Sequence, residues 1–281
     1  MRLRLLTWTR VGALVAGSAL LAWSWTTASA QQAQPQSAAR TYRAPRAPDG
    51  HPNLNGIWQA MNTAHWDIEA HSTGPSAVRD LGAAGAIPAG LGVVEGGEIP
   101  YKPDALAKKK ENFANRLKLD PEIKCYLPGV PRAIYMPFPF QIIQGKEHVM
   151  MVHEFAGAVR TVYMENHTDA PADSWMGWSN GRWEGESLVV DTRGFNDLSW
   201  FDRAGNFHSD ALHVVERLTA RSADTLLYEA TIEDPNVFTR PWKISMPLYR
   251  RVEANAQILE FRCVEFAEDL MYGHLRKQPS K

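Results

Sequence analysis

The chain is poor in cysteine, in net charge and in long apolar runs. Only two cysteines occur among its 281 residues, which excludes a disulfide-dense scaffold and a four-cysteine zinc module. The formal net charge is −1, so no basic excess is present to neutralise phosphates, and we expect no nucleic-acid partner. With 44% hydrophobic and 22% charged residues, the composition is that of a folded globular chain.

The longest apolar stretch lies near the N-terminus and has the layout of a secretory signal peptide. Residues 1–30 carry three arginines and no acid, a small apolar core at 11–25, and the sequence Ala-Ser-Ala at 28–30. The core is shorter than the ~20 residues that a membrane span needs. We therefore expect cleavage before Gln31, a periplasmic or secreted protein, and no membrane contact after cleavage.

Three segments are predicted behind this leader. Residues 31–48 are rich in Gln, Ala, Arg and Pro without an apolar period, which indicates a flexible linker. Residues 49–275 are long enough to form one β-rich domain with a sizeable core. Residues 276–281 form a short C-terminal tail.

The predicted export bears on the two cysteines, Cys125 and Cys263. An oxidising compartment favours their pairing, so we expect a disulfide between them. The alternative is a pair of independent buried thiols.

One helix is signalled ahead of the β-rich region. Pro103 lies near its start and the segment stops before Pro121. Leu106, Phe113 and Leu117 have the spacing of one helical face, which predicts a single amphipathic helix.

A glycine-rich loop precedes this helix. Residues 74–97 contain seven glycines and little charge, which predicts a mobile surface loop or a lid. The segment has neither GxGxxG nor GxxxxGK[ST], so a phosphate cradle is not expected.

Short runs rich in Val, Ile, Tyr and Leu predict β-strands. The first covers residues 57–60. Eight more follow from residue 140 onward: FQIIQ, VMMVHEF, VRTVYM, SLVVDT, LHVVERLT, TLLYEATI, WKISMPLYR and ILEFRCV. Sequential strands with tight turns and no alternating helices predict a mainly β fold, an antiparallel meander closed as a barrel. A β-sandwich is the alternative.

Several motifs resemble those of a group of exported bacterial proteins that has no established activity. They are PDGHPNLNGIW, CYLPGVPR with PFPFQIIQ, GRWEGESLVVDTRGFND and HSDALHVVERL. The resemblance implies export and supplies no chemistry. More distantly, Gly56-Ile57-Trp58 before a β-meander resembles the calycin or lipocalin barrel, in which such a tryptophan closes one end. The glycine-rich loop and the helix depart from a minimal lipocalin.

Strand alternation places one carboxylate inside an apolar stripe. Leu212, Val214, Glu216 and Leu218 share a face of LHVVERLT. Such a carboxylate must be paired, protonated or functional. Facing a pocket, it would have a raised pKa suited to proton transfer. The alternative is a structural ion pair with an arginine of a neighbouring strand.

The densest polar segment connects SLVVDT to LHVVERLT, over residues 193–211. Long connections on a rigid β scaffold are where binding sites gather. The polar and aromatic residues of interest here are Asn196, Trp200, Asp202, His208 and, at the start of the next strand, His213. The alternative is a polar crossover stabilised by Asx turns.

Together these features predict an exported β-barrel that binds an apolar or aromatic small molecule. The seven tryptophans that follow the leader suit such a pocket. The predicted catalytic residues are Glu216, His213 and His208, and the predicted substrate-binding residues are Trp178, Trp183, Trp200, His153, Asn196 and Asp202. The chemistry favoured is cofactor-free proton transfer by a lyase, isomerase or hydratase.

Two other classes stay open: a non-catalytic binding protein with all buried charges paired, and a metal-dependent hydrolase of an ester or glycan. His208, His213 and Glu216 are ligand types that suit zinc or iron. Their spacing matches no HExxH pattern, and His213 and Glu216 point to opposite faces of one strand. We therefore expect neither a metal nor a cofactor.

Overall fold

The structure is a computed structural model that describes residues 42–75 and 86–275. The predicted signal peptide, most of the predicted linker, the middle of the glycine-rich loop and the C-terminal tail lie outside the described residues. The end of the linker is described, and it packs against the domain: Ala44 and Ala47 are buried. Arg46 forms an ion pair with Glu186 at 2.7 Å.

Nine strands form a closed barrel in which spatial order follows sequence order. They are β1 (Gly56–Ala60), β2 (Phe140–Gln144), β3 (His148–His153), β4 (Val159–Tyr163), β5 (Trp178–Glu184), β6 (Ser187–Arg193), β7 (His213–Ser222), β8 (Thr225–Glu233) and β9 (Trp242–Arg250). Antiparallel pairing of β9 with β1 closes the ring. The prediction of a mainly β, lipocalin-like barrel is confirmed, and the sandwich alternative is excluded.

The sequence misses one strand and predicts one that is absent. The missed strand is β5, whose sequence WSNGRWE contains no β-branched residue. The segment ILEFRCV, residues 258–264, is irregular rather than a strand. In addition, β4 and β5 pair in parallel, with Val162 opposite Ser179 and Tyr163 opposite Asn180, so the connection over residues 164–177 is not a hairpin.

The predicted helix is present but divided at Asn115. Its parts are α1 (Pro103–Ala114) and α2 (Arg116–Leu119), and two more short helices follow, α3 (Arg132–Tyr135) and α4 (Ala267–Tyr272). The predicted apolar face is wrong, since Leu106 and Phe113 are 39% and 40% exposed. The buried face instead carries Ala105 and Asn112.

Close backbone approach explains that helix face. Gly205, at φ +83°, lies so near α1 that an added Cβ would collide with the carbonyl of Lys109 and the amide of Phe113. The Asn112 amide donates to the carbonyl of Gly205 at 3.3 Å. Only small or polar residues fit this contact, so the larger apolar residues turn outward.

Side chains fill the barrel interior. Trp58 of β1 is wholly buried, its indole N–H donates to the carbonyl of Leu54 at 2.9 Å, and the Arg250 guanidinium covers its ring at 4.2 Å. Phe140, Met151 and other inward positions of the strands are buried as well. The interior is therefore a packed core.

Cys125 and Cys263 form a disulfide, as predicted. The bond ties the irregular segment after β9 to the chain that follows α2. Two backbone amides of the same segment donate hydrogen bonds to the rest of the domain: the amide of Phe266 to the carbonyl of Ile123 at 2.8 Å, and that of Leu259 to the Glu154 carboxylate at 2.9 Å. This segment forms one wall of the groove described below.

Candidate binding groove

Glu216 lies inside the barrel with no exposed surface. Its carboxylate forms an ion pair with Arg160 of β4 and accepts a hydrogen bond from the Tyr228 hydroxyl at 2.8 Å. Arg160 also donates to Thr192 Oγ1 at 2.7 Å and to Ser179 Oγ at 2.9 Å. The arrangement is a structural ion pair between Glu216 and an arginine, the alternative to a catalytic carboxylate. Its polar atoms find their hydrogen-bond partners within the protein.

His213 lies on the other face of β7, away from Glu216. Its Nε2 is 3.0 Å from Asp191 Oδ2 on β6, and its Nδ1 is 3.2 Å from Glu233 Oε2 on β8. It therefore lies between two carboxylates of neighbouring strands, and Arg193 Nη2 is also 2.9 Å from its Nδ1. The structure does not bring His213 and Glu216 together, because they occupy opposite sides of the barrel wall.

His208 forms a different pair that the sequence pattern does not indicate. Its Nδ1 is 2.8 Å from the carbonyl of Ser209, which places the ring proton there, and its Nε2 accepts from Ser199 Oγ at 2.7 Å. Burial lowers the pKa of His208. Both side chains are buried, and an added Cβ on Gly129 would collide with the Ser199 hydroxyl. The pair is thus enclosed by the protein.

Asp202 serves the connection between β6 and β7 as an anchor for the backbone. Its carboxylate accepts from the amides of Ile68 and Ala204, each at 2.9 Å, and from the Asn206 side chain at 2.6 Å. Burial and the neighbouring Asp67 carboxylate raise the pKa of Asp202 to about 7. The connection is therefore a crossover organised by buried polar turns.

Asn196 has the same kind of role at the start of that connection. Its side-chain oxygen accepts from the amide of Leu198 at 3.3 Å, and its own amide donates to the carbonyl of Ser174 at 2.9 Å. The first bond forms the local turn, as in the Asx-turn alternative, and the second ties this turn to the connection between β4 and β5.

The three predicted binding tryptophans do not line one cavity. Trp178 stacks on Tyr163 with ring centroids 4.4 Å apart, on the face of β5 opposite to the inward Ser179. Trp183 stacks on His51 at 4.9 Å. Trp200 is buried in the crossover. Alternation along a strand predicts on which face of the sheet a tryptophan ring lies, but not which residues the ring contacts.

His153 is a core histidine. It is 2% exposed, and its ring lies 5.2 Å from that of Phe140. Burial and the Arg160 guanidinium lower the pKa of His153 to about 3. The imidazole is therefore neutral at neutral pH.

Replacing His153 by phenylalanine should flatten the acid limb of the stability profile. The folded pKa lies below the ordinary 6.5, so the contribution of His153 is complete above pH 6.5 and is lost as the pH falls toward 3. Wild type should lose about 1.4 kcal/mol more per pH unit than the variant. Urea unfolding between pH 4 and 7.5 measures this, with exposed His148 of the same strand, changed to phenylalanine, as control. Equal slopes in wild type and H153F would contradict a neutral buried imidazole.

A partly open groove of about 360 Å³ lies beside the disulfide. Its apolar walls include Leu117, Ile123, Phe138, Phe155, Phe261 and Phe266. Its polar residues are Glu122, Arg203, Arg262, Glu268 and Asp269. Cys263 is itself part of the lining, so the disulfide holds one wall in place.

Three phenylalanines form the aromatic part of this groove. The ring of Phe138 lies 4.8 Å from that of Phe261 and 5.7 Å from that of Phe155, and the last two are 5.1 Å apart. Phe138 and Phe261 remain partly exposed. Partly exposed rings held in mutual contact form a surface on which an apolar ligand can pack.

A buried charge cluster forms the polar side of the groove. Glu122 accepts from Arg203 Nε at 2.8 Å and Nη2 at 2.7 Å, and from Arg132 Nη2 at 2.6 Å. Arg132 is also paired with Asp120 at 2.9 Å. Burial alone would raise the pKa of Glu122, but the two arginines outweigh it and lower it to about 2. The carboxylate thus stays ionised and fixes Arg203.

The sequence pattern misses this groove because its walls come from distant segments. Leu117 and Glu122 lie between β1 and β2, Arg203 lies in the crossover, and residues 261–269 follow the last strand. The predicted Cys125–Cys263 pair was the one available signal that these segments meet.

Comparisons with known proteins add no assignment: no protein-family model matches the chain, and no curated protein matches it either. Within residues 42–75 and 86–275, no group of three or more His, Cys, Asp or Glu side chains is arranged to hold a metal ion. Over those same ranges, no helix is both long and apolar enough to cross a bilayer.

Proposed function

We propose that the protein binds an apolar or aromatic small molecule in the groove beside the disulfide. The observation that carries this proposal is the cluster of Phe138, Phe155 and Phe261, which borders the groove next to the charge cluster around Arg203. Apolar walls with a few fixed polar groups are the usual composition of a small-molecule site. The proposal keeps the ligand class predicted from the sequence and moves its location.

Binding without catalysis is the better-supported form of this function. Glu216 has no surface that a substrate could reach, since the Arg160 pair and Tyr228 enclose it. The buried carboxylate at the groove, Glu122, has a pKa lowered to about 2 and is therefore a weak proton acceptor. Lyase, isomerase or hydratase chemistry through these carboxylates is less well supported than binding.

Export to the periplasm or the cell exterior is part of the same proposal. The disulfide supports it, because structural disulfides persist in oxidising compartments. Mass spectrometry of the protein recovered from an expressing cell should give a mature chain that begins at Gln31. An intact N-terminus would contradict the predicted signal peptide.

The binding site is tested by replacing Phe138 with alanine. Loss of one ring from the aromatic cluster should weaken binding of the neutral fluorescent dye Nile red by about tenfold. Fluorescence titration measures the affinity. Tyr249→Ala is the matched control, because Tyr249 is an exposed aromatic residue, 43% exposed, that does not line the groove. Equal dye affinity in wild type and F138A would place the ligand elsewhere.

A further inference from the structure

We infer that the ligand of the groove is an apolar carboxylic acid whose carboxylate replaces Glu268 on the guanidinium of Arg203. This inference rests on the proposed function. It goes further by naming the anionic group of the ligand and the side chain that occupies its place.

The guanidinium of Arg203 donates to two carboxylates, one nearly buried and one exposed to solvent. Glu122 takes Nε and Nη2 through two bonds of 2.8 and 2.7 Å, and its side chain is 9% exposed. Glu268 reaches only Nη1, at 3.3 Å, and is 50% exposed. The guanidinium also lies over the Trp66 ring at 4.4 Å, so it is fixed in position. Nη1 of the fixed Arg203 guanidinium is therefore paired with a more distant, solvent-exposed carboxylate, that of Glu268.

A ligand carboxylate that replaces Glu268 keeps the charge of this position unchanged. Asp120 and Glu122 balance Arg132 and Arg203 within the buried cluster. Glu268 is a further carboxylate at Nη1 of Arg203, so its displacement leaves a position that already accommodates one negative group.

Two further arginines favour an anion at this position. Arg262 lines the groove, and Arg116 is close enough to Glu268 for their charges to interact. Asp269 and Glu122 also line the groove and oppose an anion, but Glu122 is already paired with two arginines. Arginine binds carboxylates well because its planar fork matches their geometry.

The apolar part of the ligand follows from the remaining lining. Phe138, Phe155 and Phe261 share the groove with Arg203, so a molecule held at Nη1 by its carboxylate has an aromatic surface for its chain. A cation would meet Arg203 and Arg262, and a neutral molecule would leave Glu268 in place. A monocarboxylate with an apolar chain satisfies both parts of the groove.

The test compares decanoate with decan-1-ol as competitors of Nile red on the intact disulfide-bonded protein. We expect decanoate to bind at least about tenfold more tightly than the alcohol, the effect of one charge-assisted hydrogen bond. Glu268→Gln should increase decanoate affinity several-fold and leave decan-1-ol unchanged, because the variant removes the competing carboxylate. Glu265→Gln, an exposed change in the same segment, is the control.

The outcomes separate the two proposals. Equal affinity for acid and alcohol, or no response of decanoate to E268Q, overturns the inference about the carboxylate. The proposed function survives that result if F138A still weakens dye binding. Dye binding that F138A leaves unchanged removes the groove as the site, and the carboxylate inference fails with it.

Discussion

Replacing Glu216 by glutamine is expected to lower the free energy of unfolding by about 3–5 kcal/mol and to leave groove binding unchanged. The variant keeps Arg160 inside the barrel, where its side chain is 2% exposed, without an ionic partner. An uncompensated buried charge is strongly destabilising, because the interior offers little solvation. The ligand is unaffected, since Glu216 does not line the groove.

Urea unfolding followed by tryptophan fluorescence measures this loss, and Glu184→Gln is the matched control. Glu184 also pairs with an arginine of another strand, Arg217, but both side chains are 39% exposed, so little change is expected. The double variant with Arg160→Met and Glu216→Leu should recover much of the stability. A variant E216Q as stable as wild type would show that the pair does not hold the barrel together.

Most of the barrel could be predicted because its strands alternate cleanly. In β7 the buried positions are Val214, Glu216 and Leu218, as the period of two requires. Alternation also identified the unusual carboxylate in that stripe. Alternation does not predict that Arg160 is the ion-pair partner of Glu216. Arg160 lies on β4, which pairs with β3 and β5 and is far from β7 in the sheet order.

The failures have a common cause in contacts between distant segments. Strand β5 lacks β-branched residues and forms because β6 pairs with it along its whole length. The segment over residues 258–264 has strand composition, but it remains irregular, fixed by the disulfide and by Glu154. In both cases tertiary pairing overrides local preference.

The groove was beyond sequence reasoning for the same reason. Tryptophan content suggested an interior aromatic pocket, whereas the structure distributes Trp178, Trp183 and Trp200 over three different surroundings. The aromatic site is built from phenylalanines instead. These come from three separate segments of the chain, so their spacing in the sequence does not indicate that their rings meet.

Replacing Cys125 and Cys263 by serine is expected to abolish Nile red binding while the barrel stays folded. The segment that carries Phe261 and Phe266 has no buried residue and no strand pairing. Besides two amide hydrogen bonds, the Arg203–Glu268 ion pair and the ring contacts of Phe261, the disulfide holds it to the rest of the domain. Detachment removes one wall of the groove. The β-sheet signal in circular dichroism should persist, because all nine strands lie before this segment.

The same variant should lose up to roughly 5 kcal/mol of stability, the entropy of closing a loop between cysteines 138 residues apart. The measured loss should fall below that limit, because the released segment regains freedom in the folded state as well. Glu265→Ser, an exposed change two residues after Cys263 that does not line the groove, is the control and should preserve dye binding. Full dye affinity in the double serine variant would contradict a wall that depends on the disulfide. Loss of dye binding would mean that the groove exists only where the disulfide can form, which ties binding to the oxidising compartment that the leader sequence predicts.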